Sequence, residues 1–137
     1  MSKNADALAE LFTAAKAAYE NAYAPYSRFK VGAAVRTPSG RIFSGCNVEN
    51  AAYPVGNCAE PGAIGAMALA GERRIAEICV VGAGEKLCTP CGGCRQRIRE
   101  FADDATLVHI AGPEGLRRTF TLDELLPESF GPRHLGR

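Results

Sequence analysis

The chain has 137 residues, of which 47% are hydrophobic and 23% are charged, and this balance suits one folded domain with a core of its own. Sixteen lysine and arginine side chains stand against 15 aspartate and glutamate side chains, and the net charge of +1 gives no electrostatic basis for binding nucleic acid. We therefore predict a single domain over residues 1–137 without a nucleic-acid partner.

The first 23 residues carry no signal for export or for a membrane. Asp6, Glu10 and Glu20 interrupt the segment, and no long apolar run follows a basic start. We expect a cytoplasmic protein with no membrane partner. Because cysteines in that compartment usually stay reduced, the six cysteines favour metal binding or catalysis over a disulfide framework.

The N-terminal half is predicted to form one helix and a β-hairpin. Apolar residues recur at helical spacing from about Asp6 to Ala22, and Pro25 follows in a segment that breaks the pattern. Residues 30–37 and 41–47 are typical of strands and flank the turn sequence "PSG". The helix is thus expected to precede two paired strands.

The second half alternates helices with strands. We predict a helix of small residues from about Ala59 to Ala70, a buried strand over 75–83, a helix from about Cys91 to Phe101 and a strand over 105–112. A short extended piece and a final helical turn are expected within 118–130. Strands separated by helices predict an α/β fold, a mixed sheet with helices on its faces.

Two further patterns have structural interpretations. The alternation of Arg95, Arg97 and Arg99 is typical of a solvated helix face. Cys46 and Cys79 lie in strand patterns and are expected to be small core residues.

Three other cysteines have the spacing of a metal site. Cys58 and Cys91 each fall at the predicted start of a helix, where the positive end of the helix favours a thiolate. Cys91 and Cys94 are separated by two residues, so their sulfurs can converge on one ion. Three thiolates around a tetrahedral Zn²⁺ leave one open corner, as in a catalytic site. Glu60, two residues after Cys58, is placed to act beside that corner.

Cys-x-Glu followed at this distance by Pro-Cys-x-x-Cys is a known signature of zinc deaminases that use three cysteine ligands. The alternative is a closed structural site with Cys88 as the fourth ligand, which would make the chain a non-catalytic zinc module that binds a partner. Glu60 argues against that alternative, because a structural site has no need of a carboxylate there.

The motifs "YSRFKVGAAV", "GCNVENAAY", "CAE" and "TPCGGCRQRIREF" resemble those of the short, homotetrameric cytidine deaminases of pyrimidine salvage. The resemblance implies a three-layer α-β-α sandwich around a mixed five-stranded sheet. It also implies zinc-dependent hydrolysis of cytidine and deoxycytidine to uridine and deoxyuridine with release of ammonia. The expected cofactor is Zn²⁺, and the expected partners are a nucleoside substrate and three further copies of the chain.

The family's roles carry over to positions that match its motifs. Cys58, Cys91 and Cys94 correspond to the zinc ligands, and Glu60 corresponds to the proton shuttle. The residues expected to contact the nucleoside are Asn47 and Glu49 at the ribose, Phe29 at the pyrimidine ring, Ala59 through its backbone, and Tyr53 and Phe130 from a neighbouring subunit. Without the resemblance, Asn47 and Glu49 would be interpreted as turn-capping residues and Phe29 as a core residue.

Pro61 departs from the family pattern, which commonly has arginine directly after Cys-Ala-Glu. Proline suits the first turn of a helix, but it cannot offset the negative charge of three thiolates. The two helix N-termini and Arg95 are the candidates for that role. An unusual cytosine nucleoside such as blasticidin S remains an alternative substrate. A nucleotide or nucleic-acid deaminase is disfavoured, since those enzymes commonly use histidine as the first ligand.

Overall fold

A computed structural model describes residues 3–137 and contains a five-stranded sheet. The strands are β1 (Val31–Arg36), β2 (Ile42–Cys46), β3 (Glu77–Gly82), β4 (Leu107–Gly112) and β5 (Gly115–Thr121). Their order across the sheet is β2-β1-β3-β4-β5. Only β3 and β4 pair in parallel, and the other neighbours are antiparallel. The sheet is therefore mixed, as the resemblance implied.

Helices cover both faces of this sheet. They are α1 (Lys3–Glu20), α2 (Ala59–Leu69), α3 (Gly92–Phe101) and the short α4 (Leu122–Leu125). Leu11 and Ala15 of α1 pack with Ala34 and Val81 on one face. The helices α2 and α3 pack on the other face in a larger apolar cluster. This arrangement confirms the three-layer α-β-α sandwich.

The burial of the central strands explains their sequences. The inner four residues of β1 are buried, and so are all residues of β3 except the first. A strand covered on both faces is apolar without alternation, and this is the pattern that predicted them. The β1–β2 hairpin is also confirmed, with Gly40 in its turn at φ 91°.

Several element boundaries differ from the sequence prediction by one to three residues, and the first helix begins at Lys3 rather than at about Asp6. The first helix ends at Glu20, two residues before the predicted end. The strand β5 begins at Gly115, whereas the sequence indicated only an extended piece from Arg118. Its polar residues belong to an edge strand, for which the apolar strand pattern is weak. The predicted final helical turn is α4, where Thr121 and Glu124 form a capping box.

The prediction of a solvated arginine face on α3 is wrong. Arg97 is exposed, but Arg95 is half-buried and Arg99 is buried. The prediction for the two strand cysteines holds for Cys79, which is fully buried, and only in part for Cys46, which is half-buried.

None of the helices formed by residues 3–137 combines the length and apolar character that crossing a membrane requires.

Candidate active site

The first turns of two helices bring three thiols together. Cys58 is the N-cap of α2, Cys91 is the N-cap of α3, and Cys94 lies in the first turn of α3. Their Sγ atoms all lie within 4.8 Å of one another. Three soft sulfur ligands that converge in this way suit Zn²⁺. The donor set therefore fits the zinc site predicted from the sequence. Cys88 does not belong to this cluster of the described residues.

The electrostatic surroundings of the three thiols are unequal. Burial raises the pKa of Cys58 and that of Cys94. Hydrogen bonding, chiefly from the backbone N–H of Cys94, lowers the pKa of Cys91. The N-terminus of α3 thus favours one thiolate, and a bound divalent cation would supply the positive charge that favours all three.

Glu60 lies beside the thiols in the first turn of α2. It is only 3% exposed. Burial raises the pKa of Glu60, although its own backbone N–H, Cys94 and Arg97 partly oppose this. A carboxyl with a raised pKa takes up a proton more readily than an ordinary glutamate does. The structure therefore places a buried carboxyl with increased proton affinity beside the three thiols.

A cavity of about 320 Å³ opens over Glu60, Cys58 and Cys91. This volume lies within the usual range for small-molecule sites. The cavity has no arginine or lysine among its lining residues, as far as residues 3–137 show. Three of the side chains predicted to contact a nucleoside line the cavity, and these are Asn47, Glu49 and Tyr53. Ala59, predicted to contact it through the backbone, lines the cavity as well.

Asn47 and Glu49 also hold the neighbouring backbone. The Nδ2 of Asn47 donates to the Phe29 carbonyl at 2.8 Å, and its Oδ1 accepts from the Val31 N–H at 2.9 Å. Glu49 accepts from the N–H groups of Tyr26 and Ser27 and from the Ser27 hydroxyl. These hydrogen bonds, with the Ser27 side chain first, hold the pKa of Glu49 below its ordinary value. Both residues thus organise the cavity wall, which the turn-capping interpretation anticipated.

The aromatic residues lie in different surroundings. Tyr53 is 75% exposed, lines the cavity of its own chain and contacts Tyr26 edge to face. Phe29 is half-exposed and does not line the cavity. Phe130 is also outside it and stacks on His134 with ring centroids 4.8 Å apart. Within one chain, the structure therefore brings only Tyr53 of these residues to the cavity.

Arg95 does not contact the thiols. Its Nε donates to the Pro90 carbonyl at 2.7 Å, and its two terminal nitrogens donate to the Leu125 carbonyl and to Thr89 Oγ1. This arginine therefore holds the loop before α3 and the end of α4. The backbone N–H groups at the helix starts and the Arg97 guanidinium, which acts to lower the pKa of Glu60, supply positive potential at the site instead.

Sequence reasoning missed five residues that line the cavity, Val31, Val48, Gly56, Asn57 and Thr89, and it considered a sixth, Cys88, only as a fourth ligand of a structural site. Cys88 and Thr89 directly precede the Pro-Cys-x-x-Cys motif, so their position in the chain was a usable signal. Asn57 pairs with Val48 through the backbone, a contact that cannot be read from local sequence.

Comparisons with known proteins agree with this geometry. The family model for the "cytidine and deoxycytidylate deaminase zinc-binding region" matches residues 6–110. A cytidine deaminase of Sporosarcina psychrophila is 40% identical over 127 residues, which cover 93% of both chains. One from Mycobacterium tuberculosis H37Rv is 44% identical over 118 residues, covering 85% of this chain and 84% of that one. The crystal structure of a cytidine deaminase from Burkholderia pseudomallei superposes with a TM-score of 0.83 at 45% identity, covering 95% of this chain and all of the other.

Proposed function

The chain belongs to the cytidine and deoxycytidylate deaminase zinc-binding family, and we propose that it hydrolyses cytidine and deoxycytidine to uridine and deoxyuridine with release of ammonia. The observation that carries this proposal is the buried Glu60 beside three convergent cysteine sulfurs at the base of one cavity. A single catalytic domain over 1–137 and a role in pyrimidine salvage form part of the proposal.

Cys58, Cys91 and Cys94 would hold the Zn²⁺. When bound, the metal polarises a water so that it is easier to deprotonate at neutral pH. In this proposal Glu60 is the general base and then the general acid. Its carboxylate takes a proton from the attacking water and passes it to N3 of the cytosine, which makes C4 more electrophilic.

The remaining steps relocate one more proton. The water oxygen forms a bond to C4, and Glu60 transfers the second water proton to the exocyclic nitrogen. The C4–N bond then breaks, and ammonia leaves with its electron pair. The oxygen stays on C4 as the carbonyl of uridine, and N3 keeps the first proton. One carboxylate can serve as base and then acid because no net proton is consumed.

Substrate binding in this proposal uses the walls of the cavity. Asn47 and Glu49 bind the ribose hydroxyls through hydrogen bonds that they can form in addition to those with the backbone, and the backbone at Ala59 contacts the base. Phe29 would have to turn toward the pyrimidine on binding. Tyr53 and Phe130 would complete the site of a neighbouring subunit in a homotetramer. A cytoplasmic location is also part of this proposal.

The absence of cationic lining residues in the described cavity favours a nucleoside over a nucleotide. A phosphate next to Glu49 would meet a negative charge, and each tenfold loss in kcat/KM corresponds to about 1.4 kcal/mol. We therefore expect cytidine to be a far better substrate than CMP.

The test is the loss of cytidine absorbance with zinc measured on the same sample, repeated with CMP and blasticidin S. Turnover of cytidine at one zinc per chain would support the proposal. A zinc-loaded protein inert toward all three would favour the non-catalytic zinc module. A preference for blasticidin S would overturn the assignment of an ordinary ribose pocket, and equal kcat/KM values for CMP and cytidine would contradict the role of Glu49.

A further inference from the structure

A second cavity lies at the opposite end of α3 from the three cysteines. Its volume is about 440 Å³, and it shares no lining residue with the candidate active site. The turn after α2, the end of α3 and the last residues of the chain form its walls. Its arginines are Arg73, Arg74, Arg99, Arg133 and Arg137.

We propose that this arginine cavity binds a small anion that carries two or more phosphate groups. Glu100 is the one carboxylate among its lining side chains in the described part of the chain. Asp103 and Asp104 lie beside the cavity and pair with three of its arginines, at N–O distances from 2.6 to 3.9 Å. Five guanidinium groups against these three side-chain carboxylates leave an excess of positive charge at the cavity.

Arg99 is the innermost of these charges. It is only 5% exposed, although a guanidinium is seldom buried without full pairing. Its NH1 donates to the Ala102 carbonyl at 3.3 Å and pairs with Asp104 at 3.2 Å. Its Nε is buried and has no hydrogen-bond partner within residues 3–137. Leaving a charged donor unsatisfied is costly, and since Nε itself is covered, an anion in the cavity would stabilise the Arg99 guanidinium through its negative charge rather than through a hydrogen bond to Nε.

The segment that covers Arg99 depends on a glycine. A Cβ on Gly131 would lie 3.1 Å from Arg99 Nε and 3.5 Å from its Cγ. The absence of a side chain there lets the end of the chain approach the guanidinium closely. Arg133 and Arg137 follow in and after the 3-10 turn Pro132–Leu135, which places them at the same cavity.

The donor set suits phosphate better than a single carboxylate. Each guanidinium can bind two phosphate oxygens through parallel N–H groups, and the five come from three separate segments. Phe101 and Pro132 add apolar surface to the wall. The volume lies in the range of small-molecule sites. An inorganic oligophosphate and the triphosphate of a nucleotide share this chemistry, and the experiment distinguishes them.

The test is calorimetric titration of the zinc-loaded protein with tripolyphosphate and with ATP at low ionic strength. Cytidine is left out, so the result does not depend on the deaminase proposal. We expect saturable binding of one tripolyphosphate per chain. Equal affinity for ATP would show that the phosphates alone are recognised, whereas tighter ATP binding would show that the nucleoside part also contacts the wall. Both results support the site.

Variants assign the binding to this cavity. Arg133→Gln combined with Arg137→Gln changes two exposed side chains and should weaken tripolyphosphate binding by roughly tenfold or more. Arg118→Gln, at an exposed arginine of β5 away from the cavity, should change the affinity less than about twofold. Arg99→Gln should abolish binding. If the Arg99→Gln protein does not fold, the affinity of the double variant is the test of the site.

Amide hydrogen exchange gives an independent readout. Bound tripolyphosphate should slow exchange in residues 131–137 and leave β1 unchanged. Absence of both binding heat and protection at about 10 mM ligand would overturn the proposal, since that leaves at most a few kcal/mol of binding free energy. An equal loss of affinity in Arg118→Gln and in the double variant would overturn it as well, because it would reveal only general attraction to a basic surface.

Discussion

At the residue scale, the central feature is a carboxylate in an apolar and thiol-lined environment. Glu60 is almost fully buried next to Cys94, and burial raises its pKa. Cys58 and Glu60 come from the start of the same helix, α2, whereas Cys91 and Cys94 come from the start of α3. Because Glu60 is a different residue from the three cysteines, metal binding and proton transfer can be tested independently.

Substitution of a ligand and of the acid should have different effects. Cys91→Ala should lose both zinc and activity, because two thiolates cannot complete the site. Glu60→Gln should keep about one zinc per chain and lose activity by at least about 10²-fold, because an amide cannot take up a proton. Elemental analysis and the cytidine assay check both, with Cys46→Ala as the control. Full zinc content in Cys91→Ala would refute the ligand assignment.

Glu49 provides a prediction about acid stability. Hydrogen bonds from Ser27 and Tyr26 lower its pKa from the ordinary value of 4.5 in the folded chain. The Glu49 carboxylate therefore binds a proton less readily in the folded protein than in the unfolded chain. Its contribution to the free energy of unfolding is fully present at pH values above the unfolded pKa, and it is lost as the pH falls through the lower pKa of the folded protein.

We expect Glu49→Gln to be less stable than the parent at pH 7, and the difference to shrink as the pH falls below about 4. Urea unfolding at pH 7 and about pH 3.5 measures it, with the exposed Glu10→Gln as the matched control. A difference that is the same at both pH values would show that the carboxylate charge is not what these hydrogen bonds stabilise.

At the scale of the elements, the position of the site depends on how closely β2 and α2 pack. A Cβ on Gly45 would lie 2.4 Å from the Ala63 nitrogen and 2.7 Å from the Ala59 oxygen. Both atoms belong to the backbone of α2, so a methyl group there can only be accommodated if the helix moves. Because Cys58 and Glu60 lie at the start of that helix, the movement would reach the site.

Gly45→Ala should therefore destabilise the protein by about 1–3 kcal/mol, as overpacking does, and should reduce zinc retention. The neighbouring exposed Ser44→Ala should stay within about 0.5 kcal/mol of the parent. Chemical denaturation and zinc content after dialysis measure the two effects. A Gly45→Ala protein with unchanged stability would show that α2 is not held by this contact.

At the scale of the whole molecule, one surface of α2 is available for assembly. A Cβ on Gly65 would meet no atom within 4 Å in the chain, and Leu69 is 91% exposed. Small residues along a helix allow another helix to approach closely, and we propose that this surface packs in the homotetramer. Tyr53 and Phe130, both largely exposed, would then reach neighbouring sites.

Light scattering should give a mass near four times 14.5 kDa. In an isolated chain, Gly65→Ala would stabilise the helix by roughly 0.5–1 kcal/mol. In a tetramer packed at this surface, the added methyl should instead weaken assembly and activity together. A fully active monomer would contradict the shared sites, and an unaffected tetramer would place the interface elsewhere.

The sequence by itself determined the features that depend on local spacing. The positions of the three clustered cysteines and Glu60 at helix starts could be predicted, because the signals for the start of a helix lie within a few residues of it. The buried strands could be predicted because they are continuous apolar segments. The five-stranded sandwich followed from the resemblance of its motifs rather than from periodicity, since the polar edge strand β5 gave only a weak signal.

Only the tertiary structure decided which partners the polar side chains find. Arg95 and Arg99 belong to the same alternating pattern, yet one holds a loop and the other lies buried beneath Gly131. Asn47 and Glu49 meet the backbone of residues 26–31, about 20 positions away in the chain. Hydrogen-bond partners and burial arise from segments distant in sequence, and a periodic pattern specifies a face of a helix without specifying what covers it.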